Sequence, residues 1–154
     1  MATETRPFKI LLAEDSKGDA ELVRQALQQH HIDCPLHIVS GSVRAIDSIY
    51  RIGTEPNVPP LDLLLLHLRV PICRGDELLT RLRSSERYAH SRVIVMTSLS
   101  SSALREETSR HDPTLFCEKP STLEEFLQLG SMIRRVFEQR MAKSVQHITH
   151  GGAL

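Results

Sequence analysis

The segment Leu61-Asp62-Leu63-Leu64-Leu65-Leu66-His67-Leu68-Arg69-Val70-Pro71 sets four consecutive leucines between an aspartate and a histidine. A strand with one wet face alternates apolar and polar residues, whereas a run apolar on both faces belongs to a central parallel strand covered by helices on each side. Residues 62–66 are therefore predicted to form the middle strand of a parallel sheet, with His67 at its carboxyl end. The polar, proline-bearing stretch 54–60 is the loop that leads into it.

Outward from this strand the chain alternates short apolar runs with amphipathic stretches, the rhythm of parallel strands joined by helical crossovers. Residues 8–13, 36–39, 93–96 and 115–117 supply the other four strands. The first helix carries Ala20, Val23, Ala26 and Leu27 at helical spacing, with Ser16 as its cap. A second helix turns Val43, Ile46, Ile49 and Tyr50 inward and stops at Gly53, and a third buries Leu78, Leu79 and Leu82. The fourth, 101–110, offers only Ala103 and Leu104 to a core, which predicts weak docking and high mobility. Ser121 and Glu124 are read as a capping box for the last helix, whose stripe is Leu123, Phe126, Leu127, Ile133, Val136 and Phe137. Its Arg134, Arg135 and Arg140 are read as a solvated face. Periodicity fades after Ala142, so the chain divides into one domain, 1–142, and a frayed tail, 143–154. The pattern predicts a doubly wound (βα)5 unit, and its resemblance to a known family, carried by motifs at the strand ends, implies the flavodoxin-like fold with a five-stranded parallel sheet in the order 2-1-3-4-5.

Composition narrows the function. The 154 residues suit one domain, and 19 basic side chains balance 19 acidic ones, so bulk charge favours neither nucleic acid nor anionic membrane. No signal-peptide core and no apolar run of about 20 residues is present, which points to a cytoplasmic protein. Cys34, Cys73 and Cys117 are odd in number and widely spaced, as free thiols of a reducing compartment would be; Cys73, in a loop, is the one redox candidate.

Ligands of open parallel sheets collect beyond the carboxyl ends of the strands, where the strand order reverses. The polar residues sit there: Glu14 and Asp15 after the first strand, His67 after the third, Thr97 and Ser98 after the fourth, Lys119 and Pro120 after the fifth. Each alone has a plain explanation. Glu14 and Asp15 suit a helix start, Thr97 a turn, and Lys119 a solvated loop. Their convergence from four strand ends marks a shared site.

Over residues 8–137 the chain resembles the receiver domain of two-component response regulators, the CheY-like superfamily. The resemblance rests on Ile10-Leu11-Leu12-Ala13-Glu14-Asp15-Ser16, on Leu63-Leu64-Leu65-Leu66-His67-Leu68-Arg69-Val70-Pro71 with Gly75, on Val93-Ile94-Val95-Met96-Thr97-Ser98, and on Phe116-Cys117-Glu118-Lys119-Pro120. With its long loop before the third strand and no output domain, the chain is most similar to small stand-alone phytochrome-associated response regulators. The resemblance implies an aspartate that takes a phosphoryl group from phosphohistidine on a sensor histidine kinase. It also implies magnesium held by Asp15, by Glu14 through water, and by the Arg69 carbonyl. Thr97 and Ser98 would line the phosphate pocket, Lys119 would balance the charge, Pro120 would follow it, and Phe116 would be the aromatic switch. The fourth helix, fifth strand and last helix would be the face for a homodimer, although Ser100, Ser101 and Ser102 make it polar.

The departure is the acceptor, because His67 stands where the aspartate is expected. Asp62 lies at the wrong end of the strand and Asp76 at a helix start, so neither replaces it. Asp112 and Pro113 also replace the small residues usual before the fifth strand. Losing a carboxylate removes a nucleophile and an oxygen ligand together, and magnesium prefers near-octahedral oxygen. In the family pocket three carboxylates against one lysine sum to minus two; here Glu14 and Asp15 against Lys119 sum to minus one. A protonated His67 brings that to zero without metal, so His67 is read as replacing ion and acceptor alike.

Three functions follow. The first is a pseudo-receiver, not an enzyme, that recognises a histidine kinase or another receiver and needs no cofactor. The second keeps phosphotransfer, with His67 as a phosphohistidine acceptor, or metal-assisted hydrolysis. The third is a zinc, manganese or iron site of Glu14, Asp15 and His67. The first is preferred: no glycine-rich phosphate loop and no nucleophile-and-base motif supports an enzyme.

Overall fold

A computed structural model describes residues 7–40, 47, 51, 61–68, 84, 91–97 and 115–151. Five strands, β1 (Ile10–Ala13), β2 (Leu36–Val39), β3 (Leu63–Leu68), β4 (Arg92–Thr97) and β5 (Leu115–Glu118), form one sheet in the order β2-β1-β3-β4-β5. Every pairing is parallel, with Ile10 opposite both Leu36 and Leu63, Leu63 opposite Arg92, and Ile94 opposite Leu115. This is the predicted topology. Two elements differ in a way that matters to the site: β3 runs on through Leu68, which places His67 inside the strand, and β1 begins at Ile10 rather than at Phe8. His67 pairs with Met96, so the β4 ladder continues past the histidine and fixes its backbone.

The leucine run is buried on both faces, as its composition requires. Leu63 and Leu65, with Ile10, Leu12, Ile94 and Met96, face the two described helices, α1 (Lys17–Gln29) and α2 (Leu123–Gly151). Leu11, Leu64, Leu66, Val93 and Val95 point to the other face and are equally buried. The predicted second, third and fourth helices lie outside the described residues, as do Cys73, Asp76, Asp112 and Pro113.

Helix α1 starts where the sequence indicated. Ser16 is its N-cap, in extended conformation, and its hydroxyl accepts from the Asp19 N–H. Ala20, Val23, Ala26 and Leu27 are its buried stripe. Its far end closes as a Schellman motif: Ile32 N donates to Leu27 O at 2.9 Å, and His31 N to Gln28 O at 3.1 Å. His31 holds the left-handed position with φ 54°, where glycine is usual.

Helix α2 departs from expectation in four respects. Its cap lies one residue later than predicted: Thr122 Oγ1 accepts from Glu125 N, and the Glu125 carboxylate reaches back to Ser121 N and Oγ. Those contacts hold the Glu125 carboxyl below its ordinary range. Leu123, expected in the stripe, is 54% exposed, because it precedes the first turn that reaches the sheet; Leu129 takes a buried place beside Phe126, Ile133 and Val136. Each such burial contributes roughly 1.5–3 kcal/mol.

Third, two of the arginines are not solvated. Arg134 donates to His30 O at 2.8 Å, pairs with Glu138 and lies over Phe137, which packs edge-on against Phe8. Arg140 pairs at 3.4 Å with Asp62, whose other oxygen accepts from Lys9 N at 2.8 Å. Only Arg135 of the three is exposed. Fourth, the helix continues through Gly151 where a frayed tail was expected from residue 143. No proline or glycine interrupts 143–150, and propagating a formed helix needs only one more hydrogen bond per residue fixed.

Candidate functional site

The strand order reverses between β1 and β3, and the charged residues meet beyond that point. Glu14 N donates to Val39 O at 3.0 Å, extending the β1–β2 ladder by one residue and turning the Glu14 side chain to the same face as Ile10 and Leu12. His67, in phase with Leu63 and Leu65, turns to that face as well. Both side chains are 4% exposed, and His67 Nδ1 lies 3.4 Å from Glu14 Oε2. Lys119, just past β5, places its ammonium 3.2 Å from Glu14 Oε1 and 3.3 Å from the same His67 Nδ1. Nδ1 serves one partner at a time: it accepts from Lys119 when bare and donates to Glu14 when it carries the proton.

The same ammonium also lies 2.7 Å from Asp19 Oδ2, the shortest contact it makes to a carboxylate. Asp19 was not among the residues singled out in the sequence. A first-turn acid ordinarily answers the helix dipole, and only the fold shows that it reaches a residue a hundred positions away. Counting it changes the charge balance: Glu14, Asp15 and Asp19 against Lys119 and a protonated His67 sum to minus one, not zero.

Glu14 is a buried carboxylate with every reason to stay ionised. Burial pushes its pKa up, but the hydrogen bond with His67, the Ser16 N–H at 3.1 Å and the charges of His67 and Lys119 outweigh it, and the pKa falls from 4.5 to about 2. Asp15, by contrast, is exposed, with Ser40 Oγ donating to it at 3.3 Å. The predicted partners thus separate: Glu14, His67 and Lys119 converge, and Asp15 stands outside that group.

Pro120 is buried next to Lys119. Thr97 and Phe116 lie in β4 and β5, with their side chains outside the described part; Ser98 and Arg69 lie outside it altogether. Cys34 and Cys117 are free, and burial pushes both thiols up, Cys34 to about 11, which keeps them from the reactive thiolate form.

A divalent ion of the receiver type needs several oxygen ligands around one point. Among the described residues no three His, Cys, Asp or Glu side chains converge to hold a metal. Glu14 and His67 do meet, but a lysine ammonium touches both. An ammonium beside Glu14 and His67 does not suit a divalent ion, and among the described residues Glu14, Asp15 and His67 are not brought together as three ligands.

Fold and site together define a receiver: a parallel 2-1-3-4-5 sheet with an acidic residue after β1 and a lysine after β5 meeting at the reversal point. The chain belongs to the response regulator family, as a CheY-like receiver domain. It is 34% identical over 99 residues to response regulator Rcp1 of Synechocystis sp., spanning 64% of this chain and 67% of that protein. It is 32% identical over 107 residues to a probable methanogenesis regulatory protein, FilR2, of Methanothrix harundinacea, 68% of each chain. The Mn(2+)-bound form of Rcp1 superposes with a TM-score of 0.70 at 27% identity, covering 82% of this chain and 91% of that one. A bacteriophytochrome response regulator, RtBRR, superposes at 0.64 and 26%, covering 80% and 75%. No family model matches the chain.

Proposed function

We propose that this chain is a pseudo-receiver of a two-component system: His67 occupies the phosphoacceptor position, and the protein signals through protein–protein recognition rather than phosphoryl turnover. The observation that carries this is the Lys119 ammonium, set between Glu14, Asp19 and the imidazole of His67. In a working receiver a lysine answers the charge of a phosphoryl group. Here the positive charge of the lysine is already answered by carboxylates of the protein, and the residue at the acceptor position offers no carboxylate. By sequence position Asp15, Glu14 and Arg69 correspond to the family's metal ligands, and among the described residues no three His, Cys, Asp or Glu side chains come together to hold an ion. Thr97, Ser98 and Phe116 correspond by sequence position to the family's phosphate-pocket and switch residues.

The partner is a sensor histidine kinase, of the phytochrome type if the likeness to Rcp1 and the bacteriophytochrome regulator extends to their inputs, or another receiver. The working unit is a single receiver-like domain, read over residues 1–142, with α2 running on beyond it through Gly151. The balanced charge and the absence, among the described residues, of a helix long and apolar enough to cross a membrane support a cytoplasmic protein without nucleic-acid or membrane partners.

Incubation with a small phosphodonor and magnesium, followed by intact mass, tests the reading. The wild-type chain should gain no phosphoryl mass, and His67→Asp, which adds a carboxylate beside the Lys119 ammonium and so leaves net negative charge for an ion, should gain it in a magnesium-dependent way that Asp15→Asn abolishes. A wild-type adduct mapped to an aspartate would overturn the proposal; one mapped to His67 would make the protein a phosphohistidine carrier.

A further inference from the structure

Lys119 approaches the site from the far edge of the sheet, and three groups carried by β1, α1 and β3 receive it. Glu14 sits beyond β1 and Asp19 in the first turn of α1, while His67 projects from β3. An ammonium has three donors. Two go to the carboxylates at 3.2 and 2.7 Å, and the third faces His67 Nδ1 at 3.3 Å. The lysine side chain is only 16% exposed, so it is not a surface lysine brushing an acid. Asp19 is held in place by its own backbone, since its N–H is the donor to the Ser16 cap. The carboxylate that grips the ammonium most closely is therefore anchored by the rule that starts α1.

We propose that Lys119 is the built-in cation of this pocket and that Asp19 is the positioning residue that keeps it there, closing the pocket to divalent ions. This rests on the pseudo-receiver reading above and adds a cause to it: the carboxylates that remain spend their charge on an internal cation. A divalent ion would have to displace the ammonium or sit beside it, and the repulsion between two cations a few ångströms apart in a buried site is large. The inference concerns Asp19 and Lys119 together, since Asp19 makes the shorter of the two carboxylate contacts to the ammonium.

Manganese is a suitable probe because its free form is read directly by electron paramagnetic resonance. The full-length wild type should take up no stoichiometric Mn2+ at millimolar concentration, and Lys119→Met should bind one ion at least about tenfold more tightly, as removal of a neighbouring cation predicts. Wild-type binding as tight as that of Lys119→Met would overturn the proposal. If Lys119→Met does not fold, acetylation mapped by peptide mass decides: Asp19→Asn should raise the rate at Lys119 several-fold while Lys9 is unchanged, and Asp19→Glu should restore protection. Equal protection of Lys119 in wild type and Asp19→Asn would overturn it. Stoichiometric Mn2+ on a wild-type chain that still takes no phosphoryl group sinks this inference alone. Phosphoryl uptake at an aspartate sinks the functional reading first.

Discussion

The two ends of α1 are built on opposite terms. At its start, Ser16 caps the helix in the ordinary way, Glu14 accepts the Ser16 N–H, and Asp19 hands its carboxylate to Lys119, so the local rules of helix initiation position the pocket. At its finish, an exposed histidine takes a conformation that favours glycine, while the neighbouring His30 ring fills the space above Gly130 and donates from Nε2 to Leu127 O, 2.8 Å away. Arg134 then closes the His30 and His31 carbonyls from outside. The first end spends its polar groups on charge, the second on docking two helices. A buried polar contact therefore marks a functional site here only where charged side chains from several strands meet.

The charged end should reveal itself first, through acid. Glu14 has a folded pKa of about 2 against 4.5 for the unconstrained group. Because the folded value is depressed, its stabilisation is present above the unfolded value and is lost as pH falls through the folded one. The shift corresponds to about 3 kcal/mol. The stability gap between wild type and Glu14→Gln, from urea unfolding at a series of pH values, should shrink by that order between about pH 5 and about pH 2. A gap that does not change with pH would mean that Glu14 is not held ionised by His67, Ser16 and Lys119.

Much of the charged end was legible beforehand. The leucine run marked the central strand, the alternation marked five parallel βα units, the receiver resemblance implied the sheet order, and the rule for ligand sites grouped Glu14, His67 and Lys119. Asp19 was not legible, because helix-start acids are common and the path of the chain after β5 decides whether one meets Lys119. Neither was the separation of Glu14 from Asp15, since adjacent residues after a strand point to different sides and only one finds the buried cation. The arginines of α2 were misjudged for a related reason. A long, flexible cation on a half-polar helix looks solvated in sequence, whereas Arg134 and Arg140 find carbonyls and a carboxylate supplied by distant loops.

At the docking end, Gly130→Ala is the next largest effect. Alanine normally improves a helix interior by about 1 kcal/mol over glycine. Here an added Cβ would lie 2.5 Å from His30 Cδ2 and 3.1 Å from Ala26 O. The His30 ring is tied to Leu127 O, so it cannot swing away without losing that bond, and the other neighbour is backbone. Overpacking of this kind costs about 1–3 kcal/mol, which outweighs the propensity gain. Thermal unfolding should show a net loss, with phosphodonor chemistry unaffected. A rise in stability would show that α1 and α2 are not in such close approach.

The smallest effect separates the two ends most cleanly, because it asks for a gain. His31 adopts φ 54°, which costs an L-residue roughly 1 kcal/mol that glycine does not pay. The contacts that close this turn are made by backbone: His31 N to Gln28 O, Ile32 N to Leu27 O, and Arg134 to the His31 carbonyl. The imidazole itself is exposed, so replacing it removes little packing. Part of the gain is returned through the greater freedom of glycine in the unfolded chain. His31→Gly should therefore stabilise by about 0.5 kcal/mol, read as a higher urea midpoint at unchanged slope. The same exchange at the other end, Ser16→Gly, should lower stability by a few tenths of a kcal/mol and the midpoint with it, because there the side chain caps the helix. A His31→Gly variant less stable than wild type would mean that the histidine side chain holds the turn, and that the two ends of α1 are more alike than their backbone geometry shows.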